Sequence, residues 1–103
     1  METIELLKKM FSIPSFSGNE ERVADLMVAT WVEHGYSAER SGNNVWVKSR
    51  NFDPVKPTIL LDAHLDTVRP NGNWEKDPFT AVVEDGKLYG LGSNDTGGSV
   101  VAM

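Results

Sequence analysis

The feature that most constrains this chain is the run Thr58-Ile59-Leu60-Leu61-Asp62-Ala63, apolar at nearly every position and followed at once by His64-Leu65-Asp66. A strand with one wet face alternates apolar and polar residues. A near-continuous apolar run instead predicts a strand covered on both faces, as in a mostly parallel sheet whose crossover connections lay helices on either side. The flanking segments agree with that reading. Ile4, Leu7, Met10 and Phe11 fall at helical spacing until Pro14 ends the pattern. Ser17 and Glu20 have the spacing of an S-x-x-E capping box, with Glu21 adding negative charge to the first turn. Val23, Leu26, Met27, Thr30 and Trp31 then repeat at helical intervals up to Gly35. Beyond Gly35 the period falls to two. Residues 36–40 and 45–49 predict a strand pair around Ser41-Gly42-Asn43-Asn44, and 80–84 with 87–89 a hairpin through Glu84-Asp85-Gly86. A last helix begins near Asp95. Helices before, between and after strands give an α/β fold, a partial, mostly parallel sheet flanked by helices.

A chain of 103 residues holds one domain, 1–103, and a net charge of −5 without any basic cluster argues against nucleic acid as a partner. The absence of cysteine excludes a disulfide scaffold, thiolate metal clusters and a cysteine nucleophile. No apolar stretch approaches the roughly 20 residues that span a bilayer, and METIELLKKMF lacks the basic-then-apolar layout of a signal peptide. The expectation is a cytoplasmic protein with no membrane partner. The closing residues, Asp95 to Met103, open a helix and supply no cap for its end, which reads as a cut within an element of a longer enzyme.

Two groups of residues can carry chemistry. His64 and Asp66 follow the apolar run, at the carboxyl end of the expected strand, where open α/β sheets place their sites. Positions i and i+2 of an extended backbone share a face, so the aspartate can hold one ring nitrogen of the histidine while the other binds a metal. An isolated H-x-D is more often a solvated pair in a loop. The second group is Gly90-Leu91-Gly92-Ser93-Asn94-Asp95-Thr96-Gly97-Gly98; five of the nine glycines lie between Gly86 and Gly98. Glycine costs roughly 1 kcal/mol relative to alanine inside a helix, so close approach of another group is the better reason for Gly97 and Gly98. Asp95 taken alone reads as an ordinary helix N-cap. A phosphate loop fits poorly, because no lysine follows and Asp95 stands where a third glycine belongs. His34 sits in the last turn of the second helix, where the macrodipole favours a cation. Trp31 reads as core and Trp46 as strand packing. Trp74, in a polar loop, either plugs a local cluster or lines a cleft. Asp62 needs a hydrogen-bonding partner if the strand is buried.

Three segments in order resemble the amino-terminal part of the M20 family of zinc-dependent peptidases and deacylases. Leu60-Leu61-Asp62-Ala63-His64-Leu65-Asp66-Thr67-Val68 is similar to the family's H-x-D-T-V signature. Asn73-Trp74 through Pro78-Phe79, with Asp85-Gly86-Lys87-Leu88-Tyr89-Gly90, resembles its W…PF…DGKLYGRG stretch. Residues 90–98 resemble its GRGSxDxKGG segment, with Leu91 in place of the arginine and Thr96-Gly97 in place of the x-Lys pair. The likeness covers almost the whole chain.

The resemblance implies that His64 is a ligand to one zinc, that Asp95 bridges two zincs, and that Asp66 is the catalytic carboxylate that orients His64. It implies two Zn2+ in the whole enzyme, with Co2+ as a substitute, acting through an activated water on a small-molecule N-acyl amino acid. The departures at Leu91 and Thr96-Gly97 fit the branch that removes acyl groups from ornithine-like amino acids, such as N-acetylornithine, in arginine biosynthesis. A dipeptidase or aminoacylase of the family and a non-catalytic binding module are the alternatives. The family's Glu-Glu pair, its further acidic ligand and its final histidine are absent from 1–103, as is its dimerisation domain, so this stretch corresponds to the first part of the catalytic domain. Weak or no zinc binding, no deacylase activity from these residues alone, and a trans or disordered Asp95–Thr96 bond are therefore expected. An incomplete sheet also predicts a homo-oligomer or exchange of the 90–103 segment between copies through exposed edges.

Overall fold

A computed structural model describes residues 2–103; Met1, which opens the expected first helix and the expected domain, lies outside the described residues. Helix α1 (Glu2–Phe11) has Glu2 and Glu5 in its first turn and Lys8 and Lys9 in its last, an arrangement that complements the macrodipole. Its buried face is Leu7, Met10 and Phe11. Ser12 caps the end by donating its hydroxyl to the Lys9 carbonyl at 2.7 Å, and Pro14 follows. Helix α2 (Glu21–Glu33) buries Val23, Ala24 and Met27. Its N-cap is Glu20, and no side chain caps it. The expected capping box is therefore not formed. Glu20 instead accepts the Gly18 N–H at 2.7 Å and the Asn43 amide at 3.1 Å, and the Ser17 hydroxyl turns away to Asp66.

The main core is where the three helices meet. Met10, Val23, Met27 and Val100 are buried together, with Leu6, Leu26, Val45, Ala63 and Leu65 packed around them. Val100 comes from the short helix α3 (Gly98–Ala102), which lies against α1. Trp31 is not part of this core. It is half-buried and meets Tyr36 edge-on, with ring centroids 5.2 Å apart, while the Arg50 guanidinium covers the other ring at 4.8 Å. Trp46 is 41% exposed, too open for the packing role expected of it.

Two antiparallel hairpins supply the strands. Strand β1 (Glu39–Ser41) pairs with β2 (Asn44–Trp46), and β3 (Val82–Glu84) with β4 (Lys87–Tyr89). The second turn has φ of 51° at Asp85 and 74° at Gly86, the doubly left-handed backbone that two-residue hairpins favour. Both hairpins fall where the alternation predicts them. The expected strand over 58–63 does not form. Among the described residues no strand lies beside it, and Ile59 and Leu60 are 88% and 81% exposed. Asp62 is exposed too, so it needs no partner. The single parallel pairing described is the bridge between Phe16 and Thr67. The molecule is thus a small α/β fold with antiparallel pairs and not the expected mostly parallel sheet. Among the described residues no helix is long and apolar enough to cross a membrane.

His34 closes α2 with its ring. Nδ1 donates to the Thr30 carbonyl at 2.8 Å, and Nε2 lies 3.6 Å from the Glu2 carboxylate. The hydrogen bond to Thr30 is the main cause, and that to Glu2 the next, that raises the pKa of His34 above the ordinary 6.5. A raised folded pKa stabilises the fold fully below the unfolded value, and the contribution is lost as pH rises through the folded one. NMR titration of the His34 ring is expected to give a midpoint above the ordinary histidine value, and a lower midpoint in Glu2→Gln. A midpoint at or below the ordinary value would contradict the contact.

Candidate metal-binding site

The site is assembled from three stretches distant in sequence. Residues 64–67 are extended and held from one side by Ser15, whose carbonyl accepts the Thr67 N–H at 2.8 Å and whose hydroxyl donates to the Leu65 carbonyl at 3.1 Å. Ser15 is 5% exposed, and these two bonds satisfy both of its facing polar groups. The third stretch is an irregular turn, Ser93–Gly97, in which Asp95 and Thr96 have non-helical backbone. Its entry and exit are tied together by the Gly97 N–H on the Gly92 carbonyl at 2.8 Å.

Glycine at 90, 92 and 97 is explained by close approach. An added Cβ would lie 2.5 Å from the Phe11 ring at position 90, 2.8 Å from Thr67 Cγ2 at position 92, and 2.7 Å from the Gly92 carbonyl oxygen at position 97. Gly92 also needs its φ of 82°. The glycine cluster therefore lets the turn lie flat against α1 and the 64–67 stretch. This is the packing reason expected for Gly97. The Asp95–Thr96 bond is cis, which corrects the expectation of a trans or disordered bond. The flanking backbone is held by the Gly97–Gly92 hydrogen bond on one side and by the Asp95 carboxylate on His64 on the other.

His64, Asp66 and Asp95 come together. His64 Nε2 is 2.9 Å from Asp95 Oδ1, and Nδ1 donates to the Asp66 carbonyl at 3.0 Å, with Asp66 Oδ1 at 3.3 Å. Both ring nitrogens thus face acceptors, which favours the imidazolium. The Asp95 hydrogen bond first, and the Asp66 carbonyl second, raise the His64 pKa above its ordinary value. Asp66 is pulled the other way, below the usual carboxylate value, chiefly because its Oδ2 accepts the Ser17 hydroxyl. Asp95 is 86% exposed at its side chain and caps no helix: Gly97 is the N-cap of α3, and the Asp95 carboxylate is engaged by His64. The N-cap reading is thereby replaced.

A small cleft lies beside the pair, lined by Met10, Pro14, His64, Thr67, Thr96 and Gly97. The Thr67 hydroxyl is buried at its edge with no protein partner. An imidazole nitrogen and a carboxylate oxygen facing one another form a donor set that suits zinc. Among the described residues, however, no group of three or more histidine, cysteine, aspartate and glutamate side chains is arranged to hold a metal ion together. Trp74 resolves toward the second of its two readings. It is 37% exposed and lines an open groove with Asn71, Asn73, Lys76 and Tyr89, away from His64. The contribution of Ser17 is absent from any local signal, because its spacing to Glu20 is that of a cap and its partner lies 49 residues away.

Comparison with known proteins bears on the same stretch of sequence. The model of peptidase family M20/M25/M40 matches residues 60–103, the stretch that carries His64, Asp66 and Asp95. The chain is 33% identical over 102 residues to a succinyl-diaminopimelate desuccinylase of Buchnera aphidicola subsp. Acyrthosiphon pisum (strain Tuc7), an alignment covering 96% of this chain and 27% of that protein. Proteins of the same name from Marinobacter nauticus and Delftia acidovorans are 32% and 29% identical, over 98% of this chain in both cases and 28% and 29% of their own lengths. The chain therefore spans between a quarter and a third of the relatives it matches.

Proposed function

Because this chain belongs to peptidase family M20/M25/M40, we propose that it supplies part of the metal centre of a zinc-dependent hydrolase that removes the acyl group from an N-acyl amino acid. The observation that carries this reading is His64 Nε2 facing Asp95 Oδ1 at 2.9 Å while Asp66 engages the opposite ring nitrogen. His64 and Asp95 would hold the metal, with Asp95 shared between two ions. Zinc supplies Lewis acidity toward an amide carbonyl and toward water. Asp66 accepts the Nδ1 proton, so that Nε2, once its own proton is released, would offer its lone pair to the metal. Asp95 contributes negative charge that favours a cation over a second anion. Neither aspartate is then free to carry a proton from water to the leaving amine, so these residues alone are expected to give no turnover. In the whole protein we assign 58–63 as an inner strand of a mostly parallel sheet, which would cover Ile59, Leu60 and Leu61.

The substrate class is an acyl amide of a diamino acid. The relatives carry the name of succinyl-diaminopimelate, and the sequence resemblance points to N-acetylornithine; ornithine and diaminopimelate both bear a second amine. Hydrolysis adds water across the amide, releasing the carboxylate and the free amine. The test is amine release from N-succinyl-diaminopimelate, N-acetylornithine and a dipeptide, with zinc, by a protein of the relatives' length that contains this chain. Turnover of either acylated diamino acid supports the reading. Turnover of the dipeptide alone, or of none, overturns it.

A further inference from the structure

Residues 15–17 lie along residues 65–67 through more contacts than a loop crossing requires. Ser15 holds the main chain on both sides of Asp66, through the Leu65 carbonyl and the Thr67 N–H. Phe16 forms the parallel bridge to Thr67, and its ring is fixed from two directions, edge-on to Phe79 at 6.0 Å and under the Arg69 guanidinium at 4.5 Å. The main chain at Asp66 is thus secured without Ser17. The Ser17 hydroxyl does something different: it donates to Asp66 Oδ2, the carboxylate oxygen that does not face His64.

We propose that Ser17 is a positioning residue, whose hydroxyl sets the rotamer of Asp66 so that the remaining carboxylate oxygen and the carbonyl of Asp66 hold His64 with Nε2 toward Asp95. The proposal rests on the reading that His64 and Asp95 hold a metal. An aspartate carboxylate, carried on one methylene, has two torsions to fix. One oxygen anchored by Ser17 and the other 3.3 Å from His64 Nδ1 fix both. A hydroxyl-to-carboxylate bond is charge-assisted and stronger than a neutral one. The hydroxyl is also released from its obvious alternative, because the N-cap of α2 is Glu20 and no side chain caps the helix. Ser17 is exposed and absent from the core, so removing its hydroxyl leaves the packing of Val23, Met27 and Val100 untouched.

The experiment uses the whole chain, first without metal. Three-bond couplings that report the Asp66 χ1 angle, and the ring nitrogen shifts of His64, are measured for wild type, Ser17→Ala and Ser17→Thr. Wild type and Ser17→Thr are expected to show one Asp66 rotamer, and Ser17→Ala an average over several. Zinc added to the same samples is expected to bind about tenfold more weakly in Ser17→Ala, the lower end of what losing an orienting partner costs, and near wild-type strength in Ser17→Thr. If Ser17→Ala loses the amide pattern of α2, the pair Ser17→Thr and Ser17→Val, alike in shape and different only in the hydroxyl, decides by the same couplings. Wild-type couplings and zinc affinity in a variant without the hydroxyl would overturn the proposal. Absence of hydrolysis in the longer protein, with couplings that still respond to Ser17, would instead count against the functional reading alone.

Discussion

Gly97→Ala is expected to lower the stability of this chain by about 2–3 kcal/mol. The added Cβ would stand 2.7 Å from the Gly92 carbonyl oxygen and 2.8 Å from Leu7 Cδ1. Leu7 can shift a flexible side-chain end, but the carbonyl cannot retreat, because the same oxygen accepts the Gly97 N–H at 2.8 Å. Relief requires moving the Ser93–Gly97 turn off α1 and so disturbing the packing of Val100. Elsewhere in a helical backbone alanine gains roughly 1 kcal/mol over glycine, so the sign of the change is set by the collision. For a domain of this size a loss of that order lowers the melting temperature by roughly 10–20 °C. Gly72→Ala is the control: nothing lies within 4 Å of its Cβ, and its φ is not left-handed. Urea denaturation of the two variants should separate their midpoints widely, and equal midpoints would show that the turn does not pack as described.

The second large effect is His64→Ala, which is expected to abolish zinc binding at this site and to cost the longer protein at least about a thousandfold in turnover, as removal of a group essential to the chemistry does. The side chain is half exposed and does not belong to the core, so little stability is at stake. What is lost is the nitrogen facing Asp95. Asp95 would remain with 86% of its side chain exposed and no partner to direct it. Folding can be checked independently through the α2 amides. A folded His64→Ala protein that keeps most of its turnover would mean that the metal, if any, is held elsewhere.

The helices and hairpins follow from local rules. Leu7, Met10 and Phe11 in α1, and Val23 and Met27 in α2, are buried at the spacing that predicts them, and the turn at Asp85-Gly86 adopts the backbone its residues favour. The approach of His64 to Asp66 is likewise local, because alternate residues of an extended stretch share a face. The approach of either to Asp95 is not, and it entered the sequence reading only through the family resemblance.

Three features escaped for definable reasons. The run at 58–63 reads as a buried strand because its pattern reports the environment it suits, whereas pairing also needs a neighbouring strand, and none is present among the described residues. Ser17 reads as a cap because local spacing outweighs a partner 49 residues away that no periodicity marks. Trp31 reads as core because it continues the apolar stripe of α2 by one turn; at the end of that stripe it meets Tyr36 edge-on, outside the buried cluster.

On the proposed function, His64 and Asp95 face each other in order to hold a metal through His64 Nε2. The most direct measurement is a zinc titration of this chain followed by the ring nitrogen resonances of both histidines. Zinc is expected to shift His64 Nε2 while Nδ1 keeps its proton on Asp66, to leave His34 unmoved, and to bind more weakly than micromolar, because two donors are fewer than the three a catalytic zinc site normally takes from protein. A His64 ring that stays unchanged at millimolar zinc, or zinc that settles on His34 instead, would contradict it.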